Sequence, residues 1–193
     1  MLAKVRHTLA QRVSKFPAML LAKTGISPNA LTVFGFITVL AVAWVLSTGR
    51  FFLGGFLVLL TASLDFLDGA LARATGRSTK FGAFLDSSID RFSDAALFLG
   101  LLAYYASQGS YHQIVLIGAA LTGSLATSYT RARAEGLGLK DEVGLFTRTE
   151  RIILLAIGLI ANQMIVILWI IAVLSNFTAL QRIFHVWRQT GGK

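Results

Sequence analysis

Long apolar runs broken by short polar stretches dominate the chain. "SPNALTVFGFITVLAVAWVLSTG" opens with Ser27 in N-cap position and Pro28 at the first helical position, which predicts a helix over about 28–48. Further helices are predicted over about 51–74, 82–107, 111–135, 149–161 and 164–187. "IANQM" is the only polar break between the last two, so their boundary is the least defined. Upstream, Leu2, Val5, Leu9, Val13 and Phe16 recur every three or four residues, with Lys4, Arg12 and Lys15 among them. That pattern reads as a basic amphipathic helix over 1–20 lying on a membrane surface. A signal peptide fits less well, because "FPAMLLA" is short and runs into Lys23 without a cleavage site.

Composition supports a membrane reading. The chain has 193 residues, 55% of them apolar and only 14% charged, where a soluble domain carries about 25% charged residues. At roughly 20 residues per crossing this length accommodates about six spans and no separate soluble domain. The expected fold class is therefore all-α: one polytopic membrane domain over 1–193, with six transmembrane helices across 28–187 and the N-terminal surface helix. The net charge of +9 would suggest nucleic acid in a soluble protein. Here its placement argues for topology instead. Of the eighteen Lys and Arg, only Arg50 falls outside one alternating set of loops and ends. The positive-inside rule then puts both termini and the second-to-third turn in the cytoplasm, in a multi-pass cell-membrane protein with no nucleic-acid partner. Zero cysteines exclude disulfides and thiolate metal sites.

One stretch departs from the apolar pattern. "SLDFLDGALARATGRSTKFGAFLDSSID", residues 63–90, holds four of the nine acidic residues: Asp65, Asp68, Asp86 and Asp90. Asp65 and Asp68 are three apart, Asp86 and Asp90 four apart, so each pair shares a helix face on either side of one turn. A carboxylate costs about 2.5–3.5 kcal/mol at a bilayer centre by insertion scales. Four converging carboxylates repel one another, and all-oxygen ligation suits Mg²⁺, Mn²⁺ or Ca²⁺. Salt bridges to Arg73, Arg77 or Arg91 are the plainer alternative for one or two of them. Gly69, Gly76 and Gly82 leave backbone accessible, and Arg73 lies beside the acidic face, as a pyrophosphate bridging metal and guanidinium requires.

The full spacing, Asp65-x2-Asp68-Gly69-x2-Ala72-Arg73-x8-Gly82-x3-Asp86-x3-Asp90, resembles without departure the signature of the CDP-alcohol phosphotransferases. "SPNALT", the surface helix and a basic fourth-to-fifth loop extend the resemblance over most of the chain. It implies transfer of a phosphatidyl group from CDP-diacylglycerol, or an ether-lipid equivalent, to an alcohol, with release of CMP. It further implies two Mg²⁺ or Mn²⁺ ions on Asp65, Asp68, Asp86 and Asp90, with Asp90 as general base. Asn29, Gly69, Ala72, Arg73, Gly76, Thr79 and Gly82 would bind the CDP-lipid, and a homodimer is expected.

"SYTRARAEGLGLKDEVGLFTRTER" bears on the acceptor. Arg131, Arg133, Arg148 and Arg151 cluster there, with Glu135 and Glu150 the acidic residues adjacent in sequence. Clustered guanidiniums suit a dianionic phosphate, so a phosphorylated alcohol follows, with Arg182 a weaker member of the set. "RARAEGLGL" and "TRTER" look most like the prokaryotic phosphatidylinositol-phosphate synthases, which implies inositol phosphate. Phosphatidylglycerophosphate synthesis from glycerol 3-phosphate is the alternative. A small divalent-cation transporter is the alternative of another class; it accounts for the carboxylates but for neither the glycine spacing nor the arginines.

Overall fold

The computed structural model describes residue 22 and residues 25–139 and 143–191. The expected surface helix and Lys140 lie outside them. Six helices account for nearly all of the described chain: α1 (Pro28–Ser47), α2 (Phe51–Ala74), α3 (Lys80–Ser107), α4 (Tyr111–Gly136), α5 (Arg148–Ile160) and α6 (Met164–Gln189). There is no strand among the described residues. Three helices, α1, α2 and α6, are long and apolar enough to cross a membrane. α3 and α4 are longer than α1 but carry charged residues, and α5 has 13 residues, about 20 Å of helix against a hydrocarbon core of about 30 Å. On the spanning helices large apolar side chains face outward, among them Trp44, Leu60 and Leu180, each more than half exposed. That distribution suits lipid rather than water.

The chain divides into two compact units, one made of the described part of Met1–Leu40 with Leu60–Ser93, the other of Ala41–Leu59 with Asp94–Lys193. In the first unit the helix ends are set by local hydrogen bonds. The Ser27 hydroxyl accepts from the Ala30 N–H at 3.2 Å and so caps α1, with Pro28 supplying a preset φ. α2 closes where the Arg77 N–H reaches back to the Ala72 carbonyl at 3.0 Å, past Gly76 at φ 65°. Thr79 then caps α3, its hydroxyl accepting from the Gly82 N–H at 2.9 Å.

The second unit is built on close helix contact. α6 packs against both α4 and α5. A Cβ on Gly123 of α4 would lie 2.8 Å from the Asn176 backbone nitrogen of α6, so only glycine permits this approach. Polar side chains fasten the same seam: the Thr127 hydroxyl donates to the Ser175 carbonyl at 2.9 Å, and the Asn176 amide to the Ala119 carbonyl at 3.0 Å. Leu101, Ile117, Leu155, Leu168 and Ile171 are wholly buried in this unit. Between α5 and α6, the Gln163 N–H bonds the Gly158 carbonyl at 2.9 Å and Asn162 takes φ 54°. The "IANQM" break is thus a helix-ending turn.

Candidate active site

The acidic stretch folds as the end of α2, a tight turn and the start of α3, and with the start of α1 it lines a half-open cavity of about 200 Å³. Asn29, Gly69, Ala72, Arg73, Thr79 and Gly82 line it, six of the seven residues expected to hold a CDP-lipid. The seventh, Gly76, belongs to the turn. Asp68 and Asp86 line the same cavity. Five contributors were not foreseen as site residues: Pro28, Thr32, Arg77, Ser78 and Ala83. Thr32 follows Asn29 by one helical turn, so the same face of α1 was the available signal.

Asp68 is buried, at 4% exposure. Its Oδ2 accepts from the Thr32 hydroxyl at 2.7 Å and its Oδ1 from the Gly69 N–H at 2.5 Å. These donors are neutral, so they fix the carboxylate without cancelling its charge, and the like charges of Asp86 and Asp65 both act on it. Gly82 has its own reason to be glycine: a Cβ there would stand 3.0 Å from both the Asn29 Oδ1 and the Thr79 Oγ1. Any side chain would push into two groups that line the cavity.

The expected convergence of four carboxylates is only partly realised. No three acidic, His or Cys side chains are gathered as a metal cage among the described residues. One aspartate of each pair, Asp68 and Asp86, lines the cavity. Asp65 instead stands where a Cβ on Gly35 of α1 would meet its Oδ1 at 3.5 Å. Asp90 is 3.8 Å from the Arg91 Nη1, at 22% side-chain exposure. The donor set nonetheless fits a hard divalent cation: oxygen ligands only, with two carboxylates on one cavity and a third within electrostatic reach.

The five arginines expected to hold the acceptor's phosphate, all in the second unit, fall into three environments. Arg131 is exposed and pairs with Glu135 one turn on, at 2.8 Å; Arg133 is exposed as well. Arg182 is buried, its Nε donating to the Val143 carbonyl at 2.9 Å and its Nη1 to the Thr127 carbonyl at 2.8 Å. Arg148 and Arg151 meet on Asp94, a buried residue of α3: Nε of Arg148 to Oδ1 at 3.0 Å and Nη2 of Arg151 to Oδ2 at 3.2 Å. The Ser124 hydroxyl adds a third donor at 3.1 Å. This shared acid is distant in sequence, unlike Glu135 and Glu150. Glu150 instead accepts from the Thr147 N–H at 2.8 Å and closes the first turn of α5.

A family profile described as CDP-alcohol phosphatidyltransferase matches residues 25–187. The chain belongs to that family. It is 38% identical over 186 residues to an archaetidylinositol phosphate synthase of Pyrococcus horikoshii, covering 96% of both chains. It is 37% identical over 196 residues to a phosphatidylinositol phosphate synthase of Mycobacteroides abscessus, covering 97% of this chain and 88% of that one. Among solved structures, the Mycobacterium tuberculosis phosphatidylinositol phosphate synthase with CDP-DAG bound superposes with a TM-score of 0.84 at 33% identity, over 91% of this chain and 94% of that one. The same enzyme in complex with manganese and citrate gives 0.82 at 33% identity, over 90% and 88%. An enzyme family of this kind takes the place of the cation-transporter alternative.

Proposed function

We propose that this protein transfers the phosphatidyl group of CDP-diacylglycerol, or of an ether-lipid equivalent, to inositol phosphate and releases CMP. The observation that carries the reading is the cavity itself, where two guanidiniums, Arg73 and Arg77, and two carboxylates, Asp68 and Asp86, stand around Asn29 and Gly82. Anion-binding and cation-binding groups on one small cavity fit a metal-bound pyrophosphate. The relatives' names and the CDP-DAG complex of the mycobacterial enzyme support the substrate pair.

The residues then take these roles. Arg73 and Arg77 hold the anionic oxygens of the pyrophosphate. Asn29, Thr79 and the backbone around Gly69, Ala72, Gly76 and Gly82 receive the nucleotide. Asp90 takes the proton from the acceptor hydroxyl as its oxygen forms a bond to the lipid-side phosphorus. The bond between that phosphorus and the bridging oxygen breaks, and the oxygen leaves with CMP. Asp65, Asp68, Asp86 and Asp90 would hold two Mg²⁺ or Mn²⁺ ions, which when bound neutralise the pyrophosphate and stabilise the leaving CMP. Arg131, Arg133, Arg148, Arg151 and Arg182 form the acceptor's phosphate region, with Arg148 and Arg151 at its centre and Arg182 fastening the loop.

In this reading the whole chain is one domain of the inner membrane with six transmembrane helices, an N-terminal surface helix, and both termini and the active site cytoplasmic. It works as a homodimer. The test is CMP release by purified protein with CDP-diacylglycerol and, separately, inositol phosphate, glycerol 3-phosphate, free inositol and serine. Inositol phosphate should give the highest kcat/KM. Preference for glycerol 3-phosphate would move the protein to phosphatidylglycerophosphate synthesis, and use of free inositol or serine would reject a phosphorylated acceptor.

A further inference from the structure

The pairing of Arg148 and Arg151 on Asp94 runs against local preference. Both arginines occupy the first turn of α5, the end of a helix where the aligned peptide dipoles already place partial positive charge. Cations there are disfavoured. Arg151 is also buried, at 3% side-chain exposure. A chain that needed only a stable helix start would not place two guanidiniums at this point.

Asp94 gives the two arginines a shared anchor. Its carboxylate is 5% exposed and takes one guanidinium on each oxygen, Ser124 sharing Oδ2. Arg148 keeps 27% side-chain exposure while Arg151 has almost none. Each is bound through a different nitrogen, Nε in one and Nη2 in the other, which ties both guanidiniums to one carboxylate.

We propose that Asp94 is a positioning residue for the acceptor: it orients Arg148 and Arg151 so that a phosphomonoester dianion meets a preset pair of guanidiniums. This rests on the phosphorylated-acceptor reading above. Asp94 touches neither substrate and acts only through the arginines. Ser124 has the same role at one remove, holding Oδ2 on its side of the group. A bidentate phosphate site loses most when its forks are misaligned, because both hydrogen bonds depend on one plane.

The experiment is steady-state CMP release by the full chain in lipid nanodiscs. Inositol phosphate is varied at saturating CDP-diacylglycerol, and the donor is then varied at saturating acceptor. Asp94→Asn should raise the acceptor KM roughly ten- to a hundredfold, with the donor KM within about twofold of wild type. Arg148→Lys should give a similar rise, and the double variant should be little worse than either alone, since both changes damage one element. Asp94→Glu keeps the charge and should recover part of the loss. If Asp94 served stability alone, donor and acceptor parameters would fall together with the yield of folded protein, and the two substitutions would multiply. Either result overturns the proposal, as does an unchanged acceptor KM in Asp94→Asn. Should Asp94→Asn fail to fold, Ser124→Ala carries the test. It removes one hydrogen bond and should raise the acceptor KM about two- to fivefold with the donor KM unmoved; an unmoved acceptor KM there is equally fatal. Wild-type protein that ignores phosphorylated alcohols rejects the underlying reading, whereas wild-type use of them with insensitive variants rejects the role of Asp94 alone.

Discussion

Asp68 and Asp94 are both buried aspartates on apolar helices, at 4% exposure each, and they are held in opposite ways. Asp68 is gripped by a hydroxyl and a backbone N–H, neutral donors that leave its charge available at a cavity shared with Asp86 and two arginines. Asp94 is gripped by two guanidiniums and a hydroxyl, so its charge is spent inside the protein. The partner set, not the residue type or its burial, separates a carboxylate that can take a cation from one that organises cations of the chain itself. Breaking each set selectively should give different losses.

The largest is expected at the cavity. Asp86→Asn should reduce CMP release to background while the protein still elutes as a folded species with wild-type helical content; measurable turnover would remove Asp86 from the metal site. Next is Asp90→Asn, which should lower kcat by roughly 10²–10⁴, the usual worth of a general base. Binding of CDP-diacylglycerol, read by titration calorimetry, should change much less, and near-normal turnover would assign the proton to another group. Smaller again is Thr32→Val, which keeps shape but deletes the 2.7 Å hydrogen bond to Asp68. The Mn²⁺ concentration for half-maximal activity should rise roughly 10–100-fold, as for other lost partners of metal ligands, with little change in kcat at saturating metal. Thr32→Ser should restore it. The smallest effect is Thr79→Ala, which removes the cap on α3 and should cost about 1 kcal/mol of stability. It would show as a lower Tm with modest loss of activity.

Much of this was legible in the sequence, for reasons that differ by element. All six helix boundaries fall within about two residues of expectation, because Ser27-Pro28, Gly76 and "IANQM" are local signals whose hydrogen bonds form within a few residues. The cavity was legible because its groups lie on one helix–turn–helix and the start of α1. Its finer aim was not, since a shared helix face does not say which of two aspartates lines the cavity, and that depends on how the helices pack. Asp94 continues the four-residue register of Asp86 and Asp90, and that periodicity was the one available hint. Its true partners are 54 and 57 residues away in sequence, a pairing that charge counts within one loop could not reveal. Arg131, Arg182 and the pair Arg148 and Arg151 look alike in the sequence yet separate into surface, buried-anchor and ion-cluster roles once tertiary packing is known.

The comparison between Asp68 and Asp94 is tested most directly by Mn²⁺ binding, measured as loss of the free-ion EPR signal on titration with wild-type, Asp68→Asn and Asp94→Asn protein in the presence of a CDP-lipid. Wild-type and Asp94→Asn protein should bind Mn²⁺ with affinities within about threefold of each other, and Asp68→Asn should lose at least tenfold. Equal losses in both variants, or undiminished binding by Asp68→Asn, would contradict the assignment of the cavity carboxylates to metal and of Asp94 to the arginines.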